Sequence, residues 1–322
     1  MKSIRIVLIF FVGMLLSAFA LGQDKDFPNR PIKVIVPFTP GAGADIPARF
    51  FSNQLAAVLG QPVVVENRPG AFGAIGVDAV KRAPADGYTL FLASNSPMTV
   101  NPVMIKNLSY DPIKDLKPIS GLSRNRNVFI VPANSKLHTL ADLVTTAKNS
   151  KQLLNVGTAA SGYRIVLEWF SSAAGVKFNN VPYKGGSEVY RDVVGGQLDW
   201  AVAELAGTAQ MIKSGMLRAL ATSGEARHPD FPDVPTIKES GYPGFVSYTW
   251  NSFYVRSETP DDVTTKLADA MQKVLATNAA REFVKGVGTE LMPLAPVAMR
   301  IFQKDEAERF QNIANMAGIK AE

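Results

Sequence analysis

The sequence predicts an α/β protein of two lobes, in which mainly parallel sheets are flanked by helices. Strand-like and helix-like segments alternate through nearly the whole chain, which is typical of sheets covered by helices on both faces. Two extended runs, at 127–132 and 248–254, enclose a self-contained α/β pattern. A domain inserted between two such crossings produces a cleft that closes by hinge motion. We therefore expect lobe 1 to comprise 23–126 and 253–322, and lobe 2 to comprise 127–252.

Local residue patterns assign the elements in chain order. Short apolar runs rich in β-branched residues indicate strands, and these fall at 32–37, 63–66, 89–93, 128–132, 154–156, 180–181, 199–202, 218–222 and 253–255. Apolar residues at helical spacing indicate helices, and these fall at 46–59, 73–82, 140–149, 163–174, 187–194, 261–277 and 297–316. Thr139 has the character of a helix cap. The stretch 95–126 is expected to be rich in loops.

The N-terminal residues resemble an export signal. Two positively charged residues precede an apolar run at 6–16, and small residues of a cleavage site follow. This run is too short and wrongly flanked to span a membrane. We expect 1–22 to be a signal peptide that is cleaved near Ala20 to Gly22, and the mature protein to be soluble in the periplasm.

The composition excludes several classes of protein. Because the chain has 0 cysteines, neither disulfides nor thiolate chemistry is available. Its formal net charge is +6, but basic and acidic residues are interspersed, so a nucleic-acid partner is not expected. His138 and His228 lack neighbours of the kind that metal sites and nucleophile–base pairs require. We expect no metal and no cofactor.

A small-residue turn between the first strand and the first helix is the most informative segment. The strand at 32–37 is followed by Gly41 and Gly43, and a helical pattern begins at Asp45. Glycines let an anion approach the main chain, and the start of a helix directs N–H groups and positive potential at it. The turn therefore predicts an anion site. The alternative is that it only packs the helix against the sheet.

Nine ordered motifs give the chain a resemblance to a known family along nearly its whole mature length. The motifs are FPNRPI (27–32), VPFTPGAGAD (36–45), LGQPVVVENRPG (59–70), APADGYTL (83–90), YDPIKDL (110–116), VPYKG (181–185), GGQLD (195–199), LRALA (217–221) and PDVPTIKESG (232–241). In these the chain resembles the Bug family of extracytoplasmic solute receptors. They are the substrate-binding proteins of tripartite tricarboxylate transporters.

The resemblance implies a periplasmic binding protein of the type II-like, Venus-flytrap kind, without catalysis. It implies a small carboxylate as ligand: a di- or tricarboxylate, an acidic amino acid or an aromatic acid. A first-lobe loop at 38–45 and a second-lobe loop at 157–164 would hold one carboxylate, largely through main-chain groups and ordered waters. The expected partners are the membrane permease subunits of the transporter, or a sensor kinase in a variant of this function. We expect a monomer.

Candidate ligand-binding residues lie mainly where predicted strands end, because ligands of such folds bind outside the carboxyl ends of the strands. They are Phe38, Gly41, Ala42, Gly43, Ala44, Asp45, Ser94, Asn95, Thr158, Ser161, Gly162, Tyr163, Arg164, Tyr183, Lys184, Glu204 and Trp250. Tyr183 and Trp250 are candidates for an apolar wall, with core packing as the alternative. Ser161 and Gly162 either cap a helix or bind a carboxylate. The Arg-rich stretch 123–127 either tunes the cleft or is solvated, and the solvated alternative is favoured.

Arg164 and Glu204 depart from the family pattern and leave two hypotheses open. An arginine at this position would bind a second carboxylate of the ligand with two hydrogen bonds. A buried glutamate would repel an anionic ligand unless a cation compensates it. Either Arg164 and Glu204 neutralise each other, or Glu204 selects an amino or other cationic group on the ligand.

An exported enzyme that acts on a small organic acid is the alternative from another functional class. Asp45 or Glu204 would then serve as a base. The chain has no Gly-x-Ser-x-Gly elbow, no cluster of metal ligands and no P-loop, which disfavours this hypothesis.

Overall fold

The computed structural model describes residues 27–321. The predicted signal peptide therefore lies outside the described residues. Within them, no helix combines the length and the apolar character needed to cross a bilayer.

The strands and helices alternate as the sequence predicts. The strands are β1 (Ile32–Val36), β2 (Val63–Asn67), β3 (Thr89–Ser94), β4 (Leu116–Pro132), β5 (Asn155–Thr158), β6 (Asn179–Pro182), β7 (Trp200–Glu204), β8 (Leu217–Thr222), β9 (Tyr248–Arg256) and β10 (Glu290–Leu291). The helices are α1 (Asp45–Leu59), α2 (Ala74–Lys81), α3 (Asn101–Met104), α4 (Leu140–Asn149), α5 (Ser161–Ala174), α6 (Gly186–Val194), α7 (Leu205–Lys213), α8 (Asp261–Leu275), α9 (Asn278–Gly286) and α10 (Pro296–Ala317). A 3-10 turn at Ala71–Gly73 precedes α2, and a π-helical turn at Ser96–Val100 precedes α3.

The described strands form a sheet with the order β2-β1-β3-β9-β4-β7-β5-β6, and β8 and β10 also pair with β4. At one end β1 pairs in parallel with β2 and β3, and at the other end β5 pairs in parallel with β6 and β7. In the middle, β4 and β9 are antiparallel to each other and to their neighbours. The expected parallel pairing is therefore confined to the outer strands, because the chain crosses the middle in both directions.

A single long strand, β4, connects the two lobes. Its first part pairs with β9 as far as Arg126, and from Asn127 it pairs with β7. We call the part around β1–β3, β9 and β10 the first lobe, and the part around β5–β8 the second lobe. The sheet partners of β4 thus change at the predicted lobe limit, 126/127. On the return crossing, Tyr248 already pairs with Arg126, before the predicted limit at 253.

The stretch 95–126 is not rich in loops, contrary to the prediction. It contains the π-helical turn, α3 and the first part of β4. Polar residues such as Ser123 and Asn125 make this part of β4 unlike a buried strand in sequence, and its pairing with β9 becomes clear only in the fold. The helices α7 and α9 were not predicted either.

Each lobe has its own apolar core, and the C-terminal helix contacts both lobes. In the first lobe, Val34 and Leu90 of the sheet pack with Phe51 of α1 and other apolar residues. The core of the second lobe is aromatic; Trp200, for example, packs tilted against Phe129, with ring centroids 5.1 Å apart. A further cluster unites α10 with α3 and α5. These cores hold the strand ends that carry the candidate site.

Candidate functional site

The candidate site lies between the lobes, where β1 and β3 of the first lobe end opposite β5, β6 and β7 of the second. The loops that follow these strands contact each other across the cleft. Ligands of open α/β folds bind at this edge of the sheet. The two loops that the sequence predicts to bind a ligand therefore lie opposite each other in the structure.

The first-lobe loop is held in shape by Asp45. Its buried carboxylate accepts hydrogen bonds from Gly41 N–H (2.9 Å), Arg49 Nε (2.9 Å) and Asn67 Nδ2 (2.7 Å). Burial acts to raise the pKa of Asp45, but the hydrogen bonds from Arg49, Asn67 and Gly41 hold that pKa below its ordinary value. Asp45 therefore stabilises the loop from within, and its carboxylate is already occupied by protein donors.

Two N–H groups of this loop remain available for an anion. The loop residues Gly43 and Ala44 are buried and directly precede α1, and their N–H groups form no hydrogen bond within the described chain. The positive end of the α1 dipole adds to the attraction for an anion. This geometry agrees with the anion site that the glycine turn predicts.

The first lobe caps the start of helix α5 in the second lobe. Gly162 N–H donates to Ser96 Oγ (3.0 Å), and the Ser161 hydroxyl donates to Asn101 Oδ1. We call these four residues the interlobe latch. Ser161 and Gly162 were predicted to cap a helix or bind a carboxylate, and in the structure they bind first-lobe side chains.

A second contact between the lobes lies beside a small cavity. The Ser187 hydroxyl donates to the carbonyl of Pro40 (3.3 Å), and a Cβ added to Gly185 would lie only 1.8 Å from Thr39 Oγ1. Glycine at this position therefore permits the close approach of the lobes. The adjacent cavity has a volume of about 220 Å³ and is lined by Pro37, Phe38, Gly70, Ala71, Phe72, Gly73, Ala159, Pro182, Tyr183 and Lys184.

Glu204 reaches from the end of β7 to the first-lobe loop. Only 4% of the residue is exposed, and a Cβ added to Gly43 would lie 1.7 Å from Glu204 Oε2. Burial raises the pKa of the Glu204 carboxyl, although Tyr163, Thr249 and Asn125 interact with it in the opposite sense. Its Oε2 atom has no hydrogen-bond partner within the described chain. The carboxyl is thus buried, incompletely satisfied and next to the glycine loop.

A row of polar residues across the crossing strands extends the candidate site from the predicted Ser94 to residues that the sequence did not single out. Ser94 pairs with Asn251, Asn251 with Ser123, and Thr249 with Asn125. Directly paired residues share one face of a sheet. The buried oxygens without a partner in residues 27–321 include Ser94 Oγ, Ser123 Oγ, Asn125 Oδ1, Asn127 Oδ1 and Asn251 Oδ1. Because buried polar atoms are normally hydrogen-bonded, these atoms indicate a place for water or ligand.

The stretch 123–127 is therefore not simply a solvated segment, as the sequence suggested. Ser123, Asn125 and Asn127 are buried, and the intervening Arg124 and Arg126 form ion pairs with Glu290. The alternation of residue types was the available signal, since successive side chains of a strand point to opposite faces.

Trp250 does not line the cleft. It is fully buried in the first lobe, where it packs edge-on against Phe302 at 5.7 Å between ring centroids. Its register partner on β4 is Arg124, and both neighbours of Trp250 in β9 belong to the opposite, polar face. Of the two alternatives for Trp250, core packing is therefore the one found in the structure.

Arg164 lines another cavity of about 460 Å³, together with residues such as Ile75, Asp78 and Met104. The groups that interact with the Glu204 carboxyl are instead the uncharged side chains Tyr163, Thr249 and Asn125. Arg164 is not among the groups that shift the pKa of the Glu204 carboxyl.

Other predicted residues have local partners. The Thr158 hydroxyl donates to Asn180 Oδ1 (2.7 Å) inside the second lobe. The Tyr183 hydroxyl donates to Asp192 Oδ2 (2.8 Å), while Tyr183 and the exposed Lys184 border the cavity between the lobes. Lys184 places a positive charge at its rim. Thr158 thus supports β5, whereas Tyr183 and Lys184 remain candidates for ligand contact.

The chemistry of the site is that of binding. Hydroxyls, amides, main-chain N–H groups and one carboxyl surround the cleft, and they suit hydrogen bonds to a polar ligand. Among the described residues, no group of three or more His, Cys, Asp and Glu side chains is arranged to hold a metal ion.

Residues 47–319 match a protein family described as the tripartite tricarboxylate transporter family receptor. The chain belongs to this family. The protein has the two-lobed fold of a periplasmic solute-binding protein. BugT from Bordetella pertussis is 32% identical over 324 residues, an alignment that covers 99% of each chain.

Two similar solved structures contain ligands. A protein of R. palustris described with adipate is 28% identical, with a TM-score of 0.89 and coverage of 92% of this chain and 100% of that one. MatC from Rhodopseudomonas palustris, described with bound malate, is 27% identical, with a TM-score of 0.85 and coverage of 89% and 99%.

Proposed function

We propose that this family member is a periplasmic receptor that captures a small carboxylate between its lobes and delivers it unchanged to a membrane permease. The observation that carries this proposal is the pair of available N–H groups of Gly43 and Ala44, which lie at the start of α1 inside the cleft. Helix starts of this kind bind carboxylates. The adipate and malate in the related structures support the same ligand class.

The ligand contacts would come from both lobes. On the first lobe we assign Phe38, the loop 41–44, Ser94 and Asn95 to the site, and on the second lobe Tyr163, Tyr183, Lys184 and Glu204. Because both lobes contribute, a ligand favours the arrangement in which they touch. A permease of the tripartite tricarboxylate type would then recognise the closed monomer.

Thermal melting of the refolded mature protein tests the proposal. Refolding removes any ligand that was purified with the protein. The panel should contain mono-, di- and tricarboxylates, acidic amino acids and aromatic acids. A ligand at about a hundred times its Kd adds roughly 2.7 kcal/mol to the free energy of unfolding. We expect at least one acid to raise the Tm by several degrees and to be recovered unchanged.

Two results would contradict the proposal. An unchanged Tm with every acid of the panel would remove the carboxylate assignment. Recovery of the acid as a different compound would show that the protein is an enzyme.

A further inference from the structure

Glu204 is the acidic side chain that the cleft brings against the glycine loop, and nothing so far explains why it is there. The site otherwise offers donors to an anion: the N–H groups of Gly43 and Ala44. A carboxylate beside them repels a ligand that carries only negative charge. Glu204 therefore favours a ligand that carries, besides its carboxylate, a second polar group of another kind.

The unmet hydrogen bonds near the cleft include several acceptors, together with one donor, Asn95 Nδ2, and the hydroxyls of Ser94 and Ser123. Carbonyl oxygens of Asn125, Asn127 and Asn251 lack partners within the described chain, as does Glu204 Oε2. An amide side chain presents either an oxygen or an NH2 group after rotation, but an ionised carboxylate only accepts. An ionised Glu204 therefore needs a hydrogen-bond donor on the ligand, next to its Oε2 atom.

Burial strengthens that requirement. Since 96% of Glu204 is shielded from solvent, water cannot fully replace a missing partner. Desolvation raises the pKa of its carboxyl, against the interactions with Tyr163, Thr249 and Asn125, and so disfavours the ionised form when no cation is near. A cationic group on the ligand would stabilise the ionised form, because an opposite charge offsets the cost of desolvation.

At Gly43, the main-chain N–H groups that would bind a carboxylate lie next to the Glu204 oxygen that would accept a hydrogen bond from the ligand. Its missing side chain leaves Glu204 Oε2 close to the backbone, as the 1.7 Å distance from an added Cβ shows. A carboxylate bound to the N–H groups of Gly43 and Ala44 would lie beside Oε2. The two groups of the ligand must therefore sit on the same or neighbouring carbon atoms.

We infer that Glu204 makes this receptor selective for an amino acid, whose carboxylate binds the glycine loop and whose ammonium group binds Glu204 Oε2. The inference rests on the proposed function and narrows its ligand class. A plain dicarboxylate has no group that donates to Oε2, and it meets the charge of Glu204 without compensation.

The test compares acids that differ only in the ammonium group. Isothermal titration calorimetry measures the Kd of three pairs: aspartate and succinate, glutamate and glutarate, phenylalanine and 3-phenylpropanoate. We expect the wild-type protein to bind the amino acid at least ten times more tightly in one or more pairs. Glu204→Gln keeps the shape but loses the charge, and it should reduce that ratio at least tenfold.

Glu308→Gln is the matched control, because Glu308 is exposed on α10 away from the cleft. It should leave the ratio unchanged. Circular dichroism and the Tm of Glu204→Gln establish that the variant is folded, and Glu204→Ser serves in its place if it is not.

Three results would overturn the inference. In the first, the wild type binds the acid without an ammonium group more tightly. In the second, Glu204→Gln keeps the wild-type ratio of affinities. Neither of these two results contradicts the proposed function as a carboxylate receptor. In the third, none of the six acids binds. The proposed function would then still stand if another acid of the melting panel raises the Tm, and it would fail if none does.

Discussion

Asp45 shows how one side chain can organise a binding loop without contacting a ligand. Its carboxylate joins the loop at Gly41 to Arg49 of α1 and Asn67 of β2. Charge-assisted hydrogen bonds of this kind are stronger than neutral ones. The cost of burying the charge is therefore offset, and the N–H groups of Gly43 and Ala44 keep a fixed direction.

Replacing Asp45 with Asn should lower the free energy of unfolding by about 1–3 kcal/mol, since hydrogen bonds to a charged group are lost. The pKa of Asp45 is lowered in the folded protein, so its stabilisation is present above the unfolded pKa, near about 4, and disappears as the pH falls through the folded pKa. Urea unfolding should therefore show a constant difference from wild type at neutral pH and a smaller one in acid.

Asp269→Asn provides the control for this comparison, because Asp269 is exposed on α8. It should change stability by less than about 0.5 kcal/mol. A difference between Asp45→Asn and wild type that persists unchanged into strong acid would show that charge is not the source of the stabilisation.

Individual site residues were only partly predictable from the sequence. The glycine loop and Glu204 were identifiable because they follow strand patterns that are local in sequence. Asn125 and Asn251 were missed because their burial depends on pairing between strands far apart in the chain. For Trp250 the sequence left two alternatives open for a related reason, since the face of a strand that meets solvent or cleft is decided by its neighbours.

At the level of elements, the interlobe latch connects the π-helical turn of the first lobe to α5 of the second. It supplies partners for a helix start that would otherwise need water or a ligand. Such bonds exist only while the lobes touch. The latch should therefore contribute to ligand affinity through closure rather than through ligand contact.

Ser96→Ala tests the latch, because it removes the oxygen that accepts from Gly162 N–H. We expect the affinity for the acid found in the melting panel to fall roughly 2- to 10-fold, which corresponds to one neutral hydrogen bond of about 0.5–1.5 kcal/mol. Stopped-flow measurements should show faster dissociation. The control is Ser214→Ala, whose hydroxyl bonds locally to the carbonyl of Met211. Equal affinities of Ser96→Ala and wild type would contradict a role of the latch in closure.

The close approach of β7 to the glycine loop leads to another prediction. In Gly43→Ala the new Cβ would lie 1.7 Å from Glu204 Oε2 and 2.8 Å from its carboxyl carbon, so the Glu204 carboxyl would have to move away from the loop. We expect calorimetry to show at least a tenfold loss of affinity, which is about 1.4 kcal/mol. Gly244→Ala is the control, since an added Cβ at Gly244 meets no atom within 4 Å. Wild-type affinity of Gly43→Ala would mean that the ligand does not bind at this contact.

The elements were predicted best where the pattern is strong and local. The alternation of strand and helix patterns predicted the elements in the outer parts of both lobes. Helix α4 has the predicted bounds, and Thr139 is its capping residue. The crossing region was predicted less well. There β4 is polar on one face, and its partners come from β9 and β7, so no local periodicity reveals the strand.

At the level of the whole molecule, two lobes with separate cores are connected by β4 and by the chain that enters β9. Polar contacts between them include the latch, the Ser187 hydroxyl on Pro40, and Glu204 against Gly43. An apolar cluster also joins α3 to α5 through α10. Hydrogen bonds between loops suit lobes that separate to admit a ligand and meet again around it. The family resemblance predicted this two-lobed architecture.

The most direct test of the account is a crystal structure of the refolded protein with the acid that raises its Tm most. We expect electron density for the acid between the lobes, with a carboxylate within hydrogen-bond distance of the N–H groups of Gly43 and Ala44. Density for the acid elsewhere, for example in the cavity beside Arg164, with no ligand at the glycine loop, would contradict the central claim.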